Sequence, residues 1–237
     1  MLKKRQFGEF VGDIETRVPK PYIKQVGAII PGQTAFATAG LLAPGVALNP
    51  VVDLNDAGGR ALNCPTAGGA GTQGGYAPAA YVVTQSRWNP YLSGKFQIVA
   101  PFVTFRFWAG LFSGNPTAVD SPAAAGTDAI AIRCSSSAAN TNIVAYTSNG
   151  AFGTQNIADF AVPVLFPVAG GLNIHTFSIE VGNAGAGVTI TLDTQSVSFL
   201  TNLPVIATDL GVYFGITSLG VPVNNFRFYN CYFEADR

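Results

Sequence analysis

The sequence predicts an all-β chain: an antiparallel two-sheet sandwich preceded by an extended N-terminal arm. Three features lead there. Apolar and polar residues alternate with period two through much of the second half. Gly (27) and Pro (15) punctuate the 237 residues throughout. Charged residues make up only 11%, against about 25% in an ordinary soluble domain, so Lys, Glu and Arg are too scarce to build polar helix faces.

Residues 1–26 form the arm. The run Val18-Pro19-Lys20-Pro21-Tyr22 is extended, because each proline fixes its own φ and pushes its predecessor into the β/PPII region. One helical turn over residues 3–10 is the only helix the arm allows. Residues 27–237 make the sandwich, of which 27–94 is loop-rich and 95–237 the clearest part. Short strands over 33–39 and 81–85 flank residues 66–75, a loop by its glycine content. The sequence leaves open whether 27–80 joins the sandwich or forms a separate lobe.

Beyond residue 95, Val103, Phe105, Phe107, Ala109 and Leu111 alternate with Thr104, Arg106 and Trp108. Strands follow over 129–133 and 142–146. Phe177, Ile179 and Val181 point to one face, with Thr176, Ser178 and Glu180 opposite. A glycine-rich turn over 182–187 leads to Val188, Ile190 and Leu192. The turn Asp193-Thr194-Gln195 leads to Val197 and Phe199. Val212, Phe214 and Ile216 form another strand, and residues 226–233 the last. That last strand has apolar residues at both parities, which predicts burial of both its faces. Strands at such spacing, separated by Gly, Asn and Asp turns, build a sandwich whose sheets each bury one face.

Charge narrows the function classes. The net charge is zero, which argues against a basic nucleic-acid surface. The arm carries Lys3, Lys4, Arg5, Arg17, Lys20 and Lys24 against Glu9, Asp13 and Glu15, a balance of +3 that leaves −3 on the body. A basic arm on a weakly acidic body predicts an arm that binds a partner. So few ionic side chains are tolerable where neighbours cover much of the exterior.

Cys64, Cys134 and Cys231 are widely spaced and odd in number. They form no disulfide framework or zinc signature, read as small buried hydrophobes, and fit folding in a reducing cytoplasm. No signal peptide is expected, since no apolar run follows the basic start. Residues 25–52 and 160–179 are uncharged, but Pro31, Pro44, Pro50, Pro163, Pro167, Gly170 and Gly171 interrupt them. No membrane-spanning helix is expected.

The segment from Phe105 to Tyr232 resembles the concanavalin A-like (laminin G-like) sandwich of phage tail, fibre and head-decoration proteins. Phe105-Arg106-Phe107-Trp108-Ala109-Gly110-Leu111 is similar to that family's strand ending in W-x-G-L. The resemblance continues through 126–133, through His175-Thr176-Phe177-Ser178-Ile179-Glu180-Val181, and through Val188-Thr189-Ile190-Thr191-Leu192-Asp193. It ends with Asn202-Leu203-Pro204 and 210–217. Thr194 stands where the family has Gly after the hairpin Asp, which leaves the turn type open. The resemblance implies a sandwich with structural or carbohydrate-contacting roles; it does not imply catalysis.

Catalytic chemistry finds little support in the residues. His175 has no carboxylate or Cys nearby in sequence and no G-x-S-x-G elbow to work with. Glycosidases need two facing carboxylates. Asp13/Glu15 and Glu234/Asp236 have alternate spacing only at the termini, while Glu180 and Asp193 stand alone. Asn49, Asp53, Asn55 and Asp56 read as an Asx-rich turn rather than a calcium loop. The glycine clusters at 68–75 and 182–187 lack the Lys and helix of a phosphate loop. No cofactor and no metal are expected.

The expected function is therefore a non-enzymatic virion structural protein, a capsid decoration or fibre/tail subunit synthesised in the host cytoplasm. Its expected partners are copies of itself, with a trimer as first choice, and other virion proteins such as the major capsid protein, without nucleic-acid binding or membrane insertion. The alternative is a module that binds host surface glycans through Trp88, Asn89 and Tyr91, because an exposed aromatic turn can stack on sugar.

Overall fold

The computed structural model describes residues 24–29, 48–49, 52–56, 59–66, 68–76, 83–99, 104–114, 116, 119–140, 142–160, 174–221, 223 and 225–236. The arm cations Lys3, Lys4, Arg5, Arg17 and Lys20, the turn over 3–10 and the strand over 33–39 lie outside them.

Among the described residues the chain forms two eight-stranded sheets. The first runs β14 (Gln195–Phe199), β13 (Gly187–Leu192), β12 (His175–Gly182), β7 (Tyr91–Val99), β16 (Asn225–Asp236), β4 (Gly59–Pro65) and β3 (Val52–Asp56). β1 (Lys24–Ile29) lies beside the C-terminal half of β16, pairing Lys24 with Asp236. The second sheet runs β11 (Thr154–Asp159), β10 (Val144–Asn149), β9 (Ala129–Ser135), β8 (Phe105–Phe112), β15 (Leu210–Ser218), β5 (Gln73–Tyr76) and β2 (Leu48–Asn49), with β6 (Val83–Thr84) also on β15. The helices among the described residues are short 3-10 turns.

The core lies between the sheets and is heavily aromatic. Phe107 of the second sheet stacks 5.0 Å from Phe96 and meets Phe226 at 5.4 Å. Phe214 sits 4.4 Å from Phe228 and 5.8 Å from Phe177. Phe105, Phe107, Ala109 and Leu111 all face this core, the phase that their alternation predicts. Cys64, Cys134 and Cys231 are buried and free, as small hydrophobes.

Four sequence readings need correction. Lys24 belongs to a strand rather than to an arm. Residues 73–75 are strand β5, not loop. Their glycines permit close backbone approach, since a Cβ on Gly74 would lie 2.2 Å from the Pro65 carbonyl oxygen and one on Gly75 2.5 Å from that of Phe214. Residues 52–56 form β3, paired with β4, so the Asx-rich stretch is largely extended. The loop-rich region thus supplies strands to both sheets. Finally, β16 does not bury both faces. A β-bulge between Phe228 and Asn230 switches its parity, so Phe226 and Phe228 point inward before it and Cys231, Phe233 and Ala235 after it. The opposite face, with Arg227, Tyr232 and Glu234, is only half-buried.

Candidate functional site

The second sheet buries both faces in its centre: β8 and β9 are buried at every position. On the side away from the main core, Trp108, Phe112, Ala129, Ala131, Tyr146 and Tyr213 form a second apolar cluster. Trp108 packs edge-on against Tyr146 at 5.1 Å and Phe112 at 5.7 Å. The chain's own residues 119–128, including the 3-10 turn Pro122–Ala125, are bonded across this face.

The anchoring is polar and specific. The Arg133 guanidinium lies 5.6 Å from the Trp108 ring and 5.7 Å from the Tyr146 ring, within range of cation–π attraction. It donates to Asn140 Oδ1 at 3.1 Å and to the Asp120 carbonyl. Arg106 Nε donates to the Asp120 carboxylate at 2.6 Å. Ser135 Oγ donates to the same carboxylate at 2.5 Å, and Ser137 Oγ donates to it as well. Trp108 Nε1 donates to the Val119 carbonyl at 3.2 Å. The Tyr146 hydroxyl accepts from Ala123 N at 3.2 Å and donates to Gln155 Oε1 at 2.8 Å. Ser121 Oγ donates to the same Gln155 oxygen at 2.6 Å.

Partial burial pushes the Asp120 carboxyl upward. The hydrogen bonds from Arg106, Ser135 and Ser137, with the Arg106 charge, outweigh that and hold it at about 2. Asp120 is therefore an ionised anchor for residues 119–128. Arg106 and Trp108 occupy the outward positions of the β8 alternation, so their shared face was legible. Asp120, which they meet with Arg133, falls in a stretch without strand pattern and gave no signal.

At one end of the sandwich, three loops meet at Asp128, whose carboxylate accepts from Gly150 N at 2.5 Å and Val205 N at 3.3 Å. The proposed glycan residues lie near this end. Trp88 closes the 3-10 turn Ser86–Trp88. It is half-buried, packs against the main core, and has the Arg87 guanidinium 5.6 Å from its ring. Asn89 has φ 47°, and its Oδ1 accepts from Ala184 N at 2.9 Å. Tyr91 lies on the outer face of the first sheet, half-buried, 6.2 Å from Tyr232. Trp88 and Tyr91 thus face different sides of the sheet.

His175, which has no carboxylate nearby in sequence, has one in space. Its Nδ1 lies 2.8 Å from Asp193 Oδ2, and Asp193 Oδ1 accepts from Thr176 N at 2.9 Å. The pair pins the start of β12 to the β13–β14 turn. Asp193 takes the left-handed conformation there, φ 53°, while Thr194 keeps a negative φ, which explains how a β-branched residue stands in for glycine. Among the described residues no group of three or more His, Cys, Asp or Glu could hold a metal ion. None of their helices is long and apolar enough to cross a membrane.

No family model matches the chain, and no curated protein matches its sequence. Solved structures match its fold. A protein of unknown function from Shewanella oneidensis MR-1 superposes with a TM-score of 0.57 at 8% identity, covering 90% of this chain and 87% of its own. Lectin I of Ulex europaeus, in complex with the methyl glycoside of α-L-fucose, gives 0.50 at 14% identity, covering 90% and 98%. The β-glucanase of Bacillus licheniformis gives 0.51 at 12% identity, covering 87% and 97%. Lectins and glucanases share this architecture, and the chain accordingly has the concanavalin A-like fold: two antiparallel sheets packed as a sandwich.

Proposed function

We propose that the chain is a non-catalytic structural subunit of a virion, a capsid decoration or a fibre/tail subunit, that attaches through its basic N-terminal arm and projects the sandwich. The observation that carries the reading is a charge-poor exterior bearing large apolar side chains. Only 11% of residues are charged, while Phe152, Leu200 and Val221 are 76%, 77% and 84% exposed. A surface of that kind is suited to contact with neighbours. The sealing of the second sheet by residues 119–128 supports a role without catalysis. Partners are further copies and other virion proteins such as the major capsid protein. Light scattering of the full chain should give a mass well above one subunit. A variant lacking residues 1–23 should stay folded but lose its binding to assembled capsids or tails. A full chain that remains monomeric at high concentration and binds neither would overturn the reading.

Glycan binding is the second reading. Its support is the half-buried Tyr91–Tyr232 pair, 6.2 Å apart on an outer sheet face, which offers aromatic surface to a sugar ring. A glycan array should then show hits that weaken in Tyr91→Ala, with Trp88→Ala acting indirectly through packing. An array without hits removes this reading.

A further inference from the structure

We infer that β14 is a self-pairing edge, through which two copies of this chain join their first sheets about a two-fold axis. The inference rests on the assembly reading above and names the contact that it uses.

Edge strands expose unpaired backbone groups, and folded proteins usually blunt them with charge, proline, a bulge or a covering segment. The second sheet's edge strand β11 carries Asp159 and is tied to residues 201–202: Asn202 Nδ2 donates to the Gln155 carbonyl at 3.2 Å, and Asn156 Nδ2 to the Thr201 carbonyl at 2.6 Å. β3, at the far edge of the first sheet, carries Asp53 and Asp56. β14 reads Gln195-Ser196-Val197-Ser198-Phe199, with no charge, proline or glycine. Among the described residues β13 is the one strand it pairs with.

Its phase follows from the hairpin. Leu192 pairs with Gln195 across the two-residue turn, so these two exchange hydrogen bonds, as do Ile190 with Val197 and Val188 with Phe199. Ser196 and Ser198 are then the non-bonded partners of Thr191 and Thr189. The side-chain contacts agree, with hydroxyls 2.8 Å and 3.0 Å apart in those two pairs. The N–H and C=O groups of Ser196 and Ser198 consequently point away from the sheet.

One antiparallel register, with the two-fold at Val197, pairs the outward groups of both serines. Ser196 pairs with Ser198 of the second copy and Ser198 with its Ser196, each pair exchanging two backbone hydrogen bonds. Val197 then lies opposite Val197 of the second copy, and Phe199 opposite its Gln195. Facing residues share a side of the sheet, so the apolar ones stay on the core side. That side needs cover: the inward residues of β13, namely Val188, Ile190 and Leu192, are buried, whereas Val197 and Phe199 are only partly so although they pack on the same core. The two-fold closes the contact, so it gives a discrete pair rather than an open array.

Two variants test it in the full chain. Val197→Cys places thiols at a non-bonded cross-strand pair, where a disulfide can form. Under mild oxidation it should run as a dimer on a non-reducing gel and as a monomer after reduction, while the native chain, its three cysteines buried, stays monomeric on that gel. Ser196→Pro removes an outward N–H that β13 does not use, and should halve the mass of the native pair with little change in thermal midpoint. An oligomeric chain whose Val197→Cys form does not cross-link and whose Ser196→Pro form keeps its mass would refute the β14 contact and leave the assembly reading standing. A native chain monomeric at every concentration would refute both. Should Ser196→Pro fail to fold, the cross-link alone decides.

Discussion

Asp120 ties residues 119–128 to the second sheet, and its ionisation makes that tie dependent on pH. Its carboxyl is lowered from the usual 3.8 to about 2 by Arg106, Ser135 and Ser137 against the opposing effect of burial. A carboxyl lowered by folding adds stability above its unfolded pKa and loses it as pH falls through the folded value. Its side chain is 27% exposed, so solvent screening keeps the contribution to no more than about 2 kcal/mol. Asp120→Asn should lower stability at pH 7 by about that amount, and the gap from wild type should narrow as pH falls from about 4 to about 2. Urea unfolding across that window measures it; a gap independent of pH would contradict the assignment. At Gly74 the constraint is steric: a Cβ there meets the Pro65 carbonyl oxygen at 2.2 Å, where backbone cannot yield cheaply. Gly74→Ala should cost about 1–3 kcal/mol in thermal unfolding, while Gly182→Ala, with nothing within 4 Å, should be close to neutral.

β16 shows how one residue governs an element. Tyr229 is the extra residue of the bulge, and its hydroxyl donates to Gln97 Oε1 at 3.1 Å. Deleting it would remove the bulge and leave Cys231, Phe233 and Ala235 on the inner face, because without the extra residue strict alternation runs from Phe228 to Cys231. The deletion should therefore still unfold cooperatively, whereas a substitution that keeps the bulge, Tyr229→Ala, should fold with a loss of about 1–3 kcal/mol from the missing ring and its Gln97 bond. Circular dichroism and denaturant titration check both variants, and a deletion variant without a cooperative transition would contradict the assignment of Tyr229 as the bulge residue. The same element marks a limit of sequence reading. Phe226, Phe228, Cys231 and Phe233 fall on both parities, so the pattern reads as two buried faces until the bulge is known. β8 has no bulge, and its alternation gave its core face directly. The strands β3 and β5 were obscured for another reason: Asx and Gly signal turns locally, but pairing with β4 and β15 holds them extended.

Across the whole molecule the three thiols form a probe of the core. Burial pushes all three up, Cys134 to about 12. A thiol reagent such as Ellman's should therefore find none reactive in the native chain and all three after denaturation; a thiol that reacts in native buffer would place its strand outside the core. The sequence by itself determined the all-β class, the inward phase of β8, β12, β13 and β15, and the hydrophobic character of the cysteines. These follow from period-two patterning and composition, which are local. Only the tertiary structure decided that residues 119–128 seal the second sheet, that His175 meets Asp193, that early glycine-rich residues supply strands to both sheets, and that β14 pairs with β13 alone among the described residues. Each of these depends on which segments become neighbours in space, and that is set by packing and pairing between residues far apart along the chain.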